Sequence, residues 1–523
     1  MTPLLLALLL ASGPARAPAP AAAPETHRAA AQALSLLEEE QVEEARALVE
    51  PLLASHPSDP AVQAAAGALR FHEQRYPEAV GLLERAEGAR QGLGGEYLDL
   101  ARGTLEITRG YARAEGEHFV VYAPKGKDEV LAPYLLEALE AQRRALEQDL
   151  GFAPPGKVAV EIVETPRGLA RLSTLTEEEI KTSGTIAVCK FNKMMVTSPK
   201  ALLRGYDWLD TAAHEYVHYA LSRRTRGNAP IWLHEGLAKW LETRWRGEGG
   251  EAFSPYAAAL LRDAARRGKL ITFAEMHPSM AKLPSQEAAA LAFAEVAAAA
   301  EYLLSRGGRP LLQRILDLVR DGKSAEEAVS LALGVPFDAF LADWKRHLLA
   351  RPLPEGGETE LSRLRFKGDP KHGGSHSEWA EIPDEGARGH ARLGEIFRER
   401  GRWEAARLEY GKAVKKVGAK NPALASRFAL ASMMAGRDAD AEQALSEALR
   451  GHPGYAALNV GLGRLYLKKG EWAKAREALL LANRTDPFDP EIHAGLAKAY
   501  ESLGEAALAS RERRFAEILA APR

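Results

Sequence analysis

The sequence predicts an α+β chain in which a small mixed sheet belongs to a central domain flanked by α-helical repeats. Three observations predict it. Glycines recur every 34 or 35 residues in the C-terminal part, at Gly401, Gly436, Gly470 and Gly504. Short β-branched runs gather between His118 and Thr197. From Trp208 to about Leu349 the apolar residues fall at helical spacing. At 523 residues the chain exceeds one ordinary domain. Its 69 Lys and Arg nearly balance 71 Asp and Glu, so charge gives no argument for nucleic acid or an anionic membrane as partner.

Residues 1–23 read as an export signal. Leu4 to Leu10 form a short apolar core, and Ala15-Arg16-Ala17, Ala19-Pro20-Ala21 and Ala21-Ala22-Ala23 are small-residue triplets of the cleavage type. No Lys or Arg precedes that core. The run is too short to cross a bilayer as a helix, and no other stretch is expected to span one. The expected location is therefore a bacterial periplasm or the medium outside. Cys189 is the only cysteine, which excludes intramolecular disulfides, and it reads as a buried apolar residue.

Residues 27–110 show the repeat period faintly. Val42-Glu43-Glu44-Ala45 aligns with Tyr76-Pro77-Glu78-Ala79, which sets Ala45 and Ala79 34 residues apart, with Pro57 and Pro60 between. About two divergent helical repeats are expected there. Residues 111–350 differ in texture. His118 to Tyr122 and Val158 to Val163 read as strands, separated by an amphipathic helix from about Asp128 to Asp149. Thr185 to Val188 and Met194 to Thr197 bracket Lys190-Phe191-Asn192-Lys193 as a hairpin. Residues 351–387, rich in Pro, Gly and charge, mark a linker.

Residues 388–520 carry the glycine period, with Trp403-Glu404-Ala405-Ala406 and Trp472-Ala473-Lys474-Ala475 at matching places and Pro453 and Pro487 34 apart. This segment resembles tetratricopeptide repeats. Each unit would be a helix pair with one helix ending near the glycine. A single pair cannot bury its apolar face, so neighbours stack and form a concave surface suited to a protein partner.

The chemistry is concentrated in Asp210-Thr211-Ala212-Ala213-His214-Glu215-Tyr216-Val217-His218. Helical residues four apart project to one side, so His214 and His218 present two imidazoles to one ion. Glu215 adjoins the first of them and is placed to act as general base toward a water activated by Zn2+. The bare motif is a weak signal, but Ala212, Ala213, Val217, Tyr219 and Ala220 make its helix apolar, and buried histidines need partners. A catalytic zinc takes a third protein ligand. The compact three-histidine arrangement fails, because Leu221 and Arg224 stand where a glycine and a histidine are needed. Downstream, in Pro230-Ile231-Trp232-Leu233-His234-Glu235-Gly236-Leu237-Ala238, both Glu235 and the adjacent His234 are candidates.

The pairing of His214-Glu215-Tyr216-Val217-His218 with Trp232-Leu233-His234-Glu235-Gly236-Leu237-Ala238 resembles the gluzincin clan, and in particular the peptidase MA-like domains of exported bacterial proteins. The likeness covers about residues 115–350. It implies a zincin-like metallopeptidase domain with Glu235 as third ligand and a polypeptide substrate. The element that grips a free α-amino group in aminopeptidases of that clan is absent, which favours an endopeptidase. One departure is Phe293, where such domains often carry tyrosine. Tyr302, Tyr256 and His277 are alternative electrophiles, each more simply read as packing or surface.

Two other groups read as structural. His372 and His376 flank Gly373-Gly374, which disfavours the helix their spacing would need. Arg223, Arg224 and Arg226 read as a solvated loop between the two ligand-bearing helices. The competing function is a catalytically inactive zincin-like scaffold acting through its repeats. Hydrolysis of a non-peptide bond is a further possibility that the ligand set permits.

Overall fold

Helix-forming composition dominates the architecture. The computed structural model describes residues 24–247, 253, 255–277, 280, 283–351, 379, 382, 384–418 and 421–521, and among these it contains twenty-three α-helices and one five-stranded sheet. The export signal, His372 and His376 lie outside the described residues. The chain divides between Arg102 and Gly103 into two compact units.

The first unit holds α1 (Pro24–Glu38), α2 (Val42–Ser55), α3 (Pro60–His72), α4 (Tyr76–Ala89) and the start of α5 (Gly95–Thr108). Asp59 caps α3 by accepting from the Ala61 and Val62 amides at 3.0 and 3.1 Å, and Pro60 occupies the first helical position, where no N–H is required. Ala33, Leu37, Ala45, Val49, Ala66 and Leu69 are buried together.

The second unit begins with the sheet. Its strands are β1 (Ala112–Glu115), β2 (Phe119–Ala123), β3 (Val158–Val163), β4 (Ala187–Lys190) and β5 (Lys193–Thr197), in the order β1-β2-β3-β5-β4. β2, β3 and β5 run parallel, with β1 and β4 antiparallel at the edges. The long helix α6 (Leu131–Leu150) connects β2 to β3, and α7 (Pro166–Leu172) and α8 (Glu177–Ser183) precede β4. β1, α7 and α8 are too short to show a period, and the sequence does not announce them. The hairpin turns on Phe191 and Asn192, both at φ near +60° (58° and 59°), which matches the twist of a two-residue turn.

Helices then follow without interruption by strands: α9 (Trp208–Thr225), α10 (Ile231–Leu241), α11 (Pro255–Arg267), α12 (Gln286–Ser305), α13 (Gly308–Arg320), α14 (Ala325–Leu333) and α15 (Phe337–Ala350). α9 packs on α6 and on the sheet, where the Tyr216 and Phe119 rings meet edge to face at 4.9 Å. Arg223 and Arg224 correct the expected solvated loop. Both lie within α9; Arg224 is buried and donates to the Leu150 carbonyl at 3.2 Å and to Asp317 at 2.7 Å. α9 runs on to Thr225 and ends at Arg226, which takes the left-handed conformation at φ +54°. A second correction concerns membrane spans. Residues Glu287–Ser305 are long and apolar enough to cross a bilayer, contrary to expectation. Here that helix, α12, buries Ala292, Val296, Ala299 and Leu303 in the protein core.

The C-terminal helices pair as expected: α16 (Glu385–Glu399) with α17 (Trp403–Val417), α18 (Pro422–Met434) with α19 (Asp438–Gly451), α20 (Ala456–Lys469) with α21 (Trp472–Asn483), and α22 (Pro490–Ser502) with α23 (Ala506–Ala520). Gly401, Gly436, Gly470 and Gly504 take φ between +67° and +80°, the left-handed conformation that ends the first helix of each pair. The expected linker boundary moves, because Trp379 and Ile382 already pack with Ala387 and Tyr410, and α16 starts at Glu385. At the other end Phe515 and Leu519 join the core of the sheet domain, and the Tyr134 hydroxyl donates to Glu512 at 2.7 Å.

Inside the sheet, Lys193 Nζ donates to Glu161 at 2.7 Å, and the two side chains are 0% and 1% exposed. Buried charges of this kind survive only together. Lys193→Met is expected to destabilise the second unit by about 3–5 kcal/mol, with Glu161→Leu in the same chain recovering most of the loss. Denaturant midpoints of the three proteins, followed by circular dichroism, check this.

Candidate metal centre

α9 carries its two histidines on the face turned toward α10. α10 is fixed by its opposite face, where Trp232, Leu233, Leu237 and Ala238 are buried and the Trp232 ring stacks on Phe273 at 4.7 Å. Gly236 explains how closely α10 approaches α12. A Cβ there would lie 2.7 Å from the Val296 carbonyl oxygen, so a larger residue would push the two helices apart. With the apolar face committed, Glu235 turns toward α9.

The result is a tight set of donors. His214 Nε2 and His218 Nε2 are 3.1 Å apart, and Glu235 Oε2 is 3.3 Å from the first and 3.4 Å from the second. Three vertices of a tetrahedron around an ion at ordinary Zn–N and Zn–O distances would be separated by about 3.3–3.4 Å. The donor spacing fits. His214, His218 and Glu235 side chains are 13%, 17% and 16% exposed, which leaves one side open to solvent.

The outer ring nitrogens support the same orientation. His214 Nδ1 lies 3.0 Å from Glu242 Oε2, and His218 Nδ1 lies 3.2 Å from His234 Nδ1. An acceptor at each Nδ1 keeps the proton there and leaves Nε2 as the inward lone pair, the arrangement that metal-binding imidazoles require. His234 is thus the outer neighbour of His218, while Glu235 joins the inner set. Of the two third-donor candidates, the structure brings Glu235 to the histidines' inner nitrogens. Lys239 donates to the remaining oxygen of Glu242 at 2.5 Å.

Electrostatics follow from this geometry. Burial by itself depresses the His214 imidazole, but hydrogen bonds to Glu235 and Glu242 outweigh it and raise its pKa to about 10. Burial raises the Glu235 carboxyl, yet the two imidazoles hold it well below the usual carboxylate range. His234 is lowered to about 3 by burial and then by its histidine neighbours, which keeps it neutral and able to accept from His218. In the metal-free site the protonated His214 ring and Lys239 balance the two carboxylates.

Glu215 is buried and accepts from the Cys189 backbone N–H on edge strand β4. Burial pushes its carboxyl above the ordinary value, and the nearby imidazoles pull it partly back. Phe293 sets its ring edge toward His214, 6.5 Å between centroids. Tyr302 lies nine residues further along α12, packed between Phe340 and His347, while Tyr256 sits on α11 and His277 is exposed. A cavity of about 230 Å³ opens beside Glu242 along the first turn of α9, lined also by Ile186, Tyr206, Thr211 and Lys239.

Sequence reasoning missed Glu242 and Lys239. The signal available was the spacing Glu235–Glu242, two helical turns on one face. The role of His234 has no sequence signal, since it depends on how α9 and α10 are rotated.

Residues 30–93 and 391–456 match one family model described as tetratricopeptide repeat, and residues 432–499 match another of the same description. The chain therefore contains tetratricopeptide repeats in both segments where the period appears. No curated protein matches the chain. Among solved structures, leukotriene A4 hydrolase from Saccharomyces cerevisiae is 12% identical over 79% of this chain and 67% of that one, with a TM-score of 0.28. The protein MamA (MSR-1) is 17% identical over 27% of this chain and 82% of that one, with a TM-score of 0.23. Both likenesses are distant.

The His214 shift has a definite sign. Its pKa is raised above 6.5, so the stability it lends the metal-free protein is complete below about pH 6.5 and lost as pH rises through about 10. Glu242→Gln removes one of the two carboxylate acceptors and is expected to lower the titration of the His214 ring. Ring-proton NMR of the metal-free protein reads the titration in both proteins, and denaturant midpoints measured across the same pH range read the stability.

Proposed function

We propose that this chain is a zinc-dependent peptidase with a zincin-like central domain, probing extended polypeptide along the edge of its sheet. The observation that carries the reading is the donor set. His214 Nε2, His218 Nε2 and Glu235 Oε2 converge at spacings of 3.1–3.4 Å, with outer acceptors that point both lone pairs inward. These three residues would hold the ion. Zinc bound there supplies a Lewis acid that acidifies a water molecule and polarises a carbonyl oxygen.

The protein's own groups do the rest. Glu215, raised by burial, accepts the proton of the attacking water and returns it to the departing nitrogen. Glu242 and His234 hold the Nδ1 protons of the two histidines. Ile186 bonds toward β5 through its carbonyl, at 2.8 Å from the Thr197 nitrogen, so the alternate residues Ala187 and Cys189 turn their backbone groups to the free edge of β4. Cys189 N–H binds Glu215 there, which sets the base at the place where an added strand would pair. A substrate held along its length, with no device for a free α-amino group, makes this an endopeptidase. The repeats supply a surface for a protein partner or for delivering substrate. The apolar segment Leu4 to Leu10, followed by small-residue triplets, supports export from the cytoplasm.

One observation favours a second reading. Phe293 packs its ring toward His214 and offers no hydroxyl to a developing oxyanion, as a repeat scaffold that keeps its metal without hydrolysis would.

Two experiments separate these. Glu215→Gln is expected to keep zinc and to lose hydrolysis of an unfolded protein substrate by about 100-fold or more. Chelator-sensitive cleavage by the unmodified protein, absent in the variant, confirms the peptidase; retained cleavage in Glu215→Gln disproves the base. Zinc content of purified His214→Ala and Glu235→Ala is expected to fall in both. Zinc kept in Glu235→Ala alone would move the third ligand to His234.

A further inference from the structure

The first turn of α9 is held from two directions. Asp210, one turn before His214, is buried. Its Oδ1 accepts from Trp245 Nε1 at 2.8 Å and Arg246 Nε at 3.1 Å. Its Oδ2 accepts from Arg246 Nη2 at 2.7 Å and Arg484 Nη2 at 2.8 Å. Trp245 and Arg246 follow α10, the helix that bears Glu235, whereas Arg484 follows α21 in the C-terminal repeats. One carboxylate thus ties the motif helix both to the segment after the third donor and to the repeat array.

The same guanidinium pairs with Asp207, whose side chain caps α9 by accepting from the Asp210 amide at 3.3 Å. Partial burial, and then Asp210, push the Asp207 carboxyl up, and the Arg484 guanidinium that both acids share opposes that shift. The repeat loop also accepts from Trp208 twice, through the Arg484 carbonyl at 3.2 Å and the Asn483 carbonyl at 3.0 Å. Gly205 lets the chains come this close. Its φ is +65°, and a Cβ there would stand 2.0 Å from the Thr485 carbonyl oxygen.

We propose that Arg484, from the C-terminal repeats, is a positioning residue for the metal centre, fixing through Asp210 the rotation of the helix on which His214 and His218 meet Glu235. The inference rests on the metallopeptidase reading. A tetrahedral site needs its donors held to within roughly 0.5 Å and 10–20°, and imidazoles projecting from a helix magnify any rotation of it. The far end of α9 is anchored by Arg224 to Leu150 and Asp317. At the near end the clamp is Asp210.

The test uses the full chain. Arg484→Ala is compared with Arg511→Ala, which loosens the neighbouring repeat pair by losing its contacts with Glu137 and Tyr134 on α6 and, among the described residues, makes no hydrogen bond or ion pair with α9. Zinc affinity is read by competition with a chromogenic chelator, and amide hydrogen exchange is read on the metal-free protein. Arg484→Ala is expected to weaken zinc about tenfold, within the range for partners outside the donor set, and to speed exchange in the first two turns of α9. Arg511→Ala should do neither, and Arg484→Lys should recover part of the affinity by restoring the charge without the fork. Unchanged affinity in Arg484→Ala, or an equal loss in Arg511→Ala, overturns the proposal. If Arg484→Ala does not accumulate folded, Arg484→Lys and Arg484→Gln carry the same comparison. Should the unmodified protein bind no zinc, the metallopeptidase reading fails, and the exchange difference at α9 still decides whether Arg484 holds the helix.

Discussion

Three donor atoms within 3.4 Å of one another, on side chains less than one-fifth exposed, are the constraint around which the central domain is organised. Withdrawing a carboxylate and two imidazoles from water costs free energy that hydrogen bonds and a balancing positive charge offset, a proton on His214 in the metal-free site. The side chains show that demand directly. His214 is driven up while Glu235 is driven down, and His234 is kept neutral. The donor spacing depends on α9 and α10 staying together, and the packing around α10 holds them so.

Helix α10 shows how this is done with ordinary means. Its apolar side is bolted by Trp232 between Phe273 and Phe337, with the indole N–H donating to Glu326 at 3.3 Å. Gly236 lets α12 in against the backbone immediately after the donor carboxylate. Gln142 on α6 caps the end of the helix by donating to the Leu241 carbonyl at 2.8 Å. Side chains on the opposite face, Glu235 and Glu242, are then free of any packing duty and point toward α9. On the other side of the cleft, the hairpin is pinned to α9 through Asn192, which accepts from the Tyr219 hydroxyl at 2.9 Å and from Arg223.

This division explains what the sequence reveals and what it hides. His214, Glu215 and His218 are legible because their relation is internal to one helix, and helical geometry is fixed before any tertiary contact forms. The repeats are legible for the same reason, since each glycine of the 34-residue period closes a local turn. Between Glu235 and His234 the residues alone could not decide, because the choice depends on the rotation of α10, and that is set by Trp232 and Gly236 against distant helices. Glu242 and Lys239 stayed hidden behind the same unknown. α12 is long and apolar enough to span a bilayer, and its apolar residues pack against α10 and α11. Arg484 lies 274 residues from Asp210, beyond any local pattern.

That last separation changes what the C-terminal repeats are. An appended binding module would meet the central domain through a linker and a small polar contact. Here the final helix pair lends Phe515 and Leu519 to the sheet domain's own core and buries Glu512 between Tyr134 and His493, while Arg484, at the end of the preceding pair, closes a salt bridge on the motif helix. Removing it would strip apolar surface and strand carboxylates at the same time, which are the two costs that most reliably destabilise a fold. Among the described residues, the earlier pairs, α16 to α19, make their main helix contacts with one another and with α20. The last part of the array is thus committed to the geometry of the donors, and the stacking of the repeats connects the earlier pairs to it.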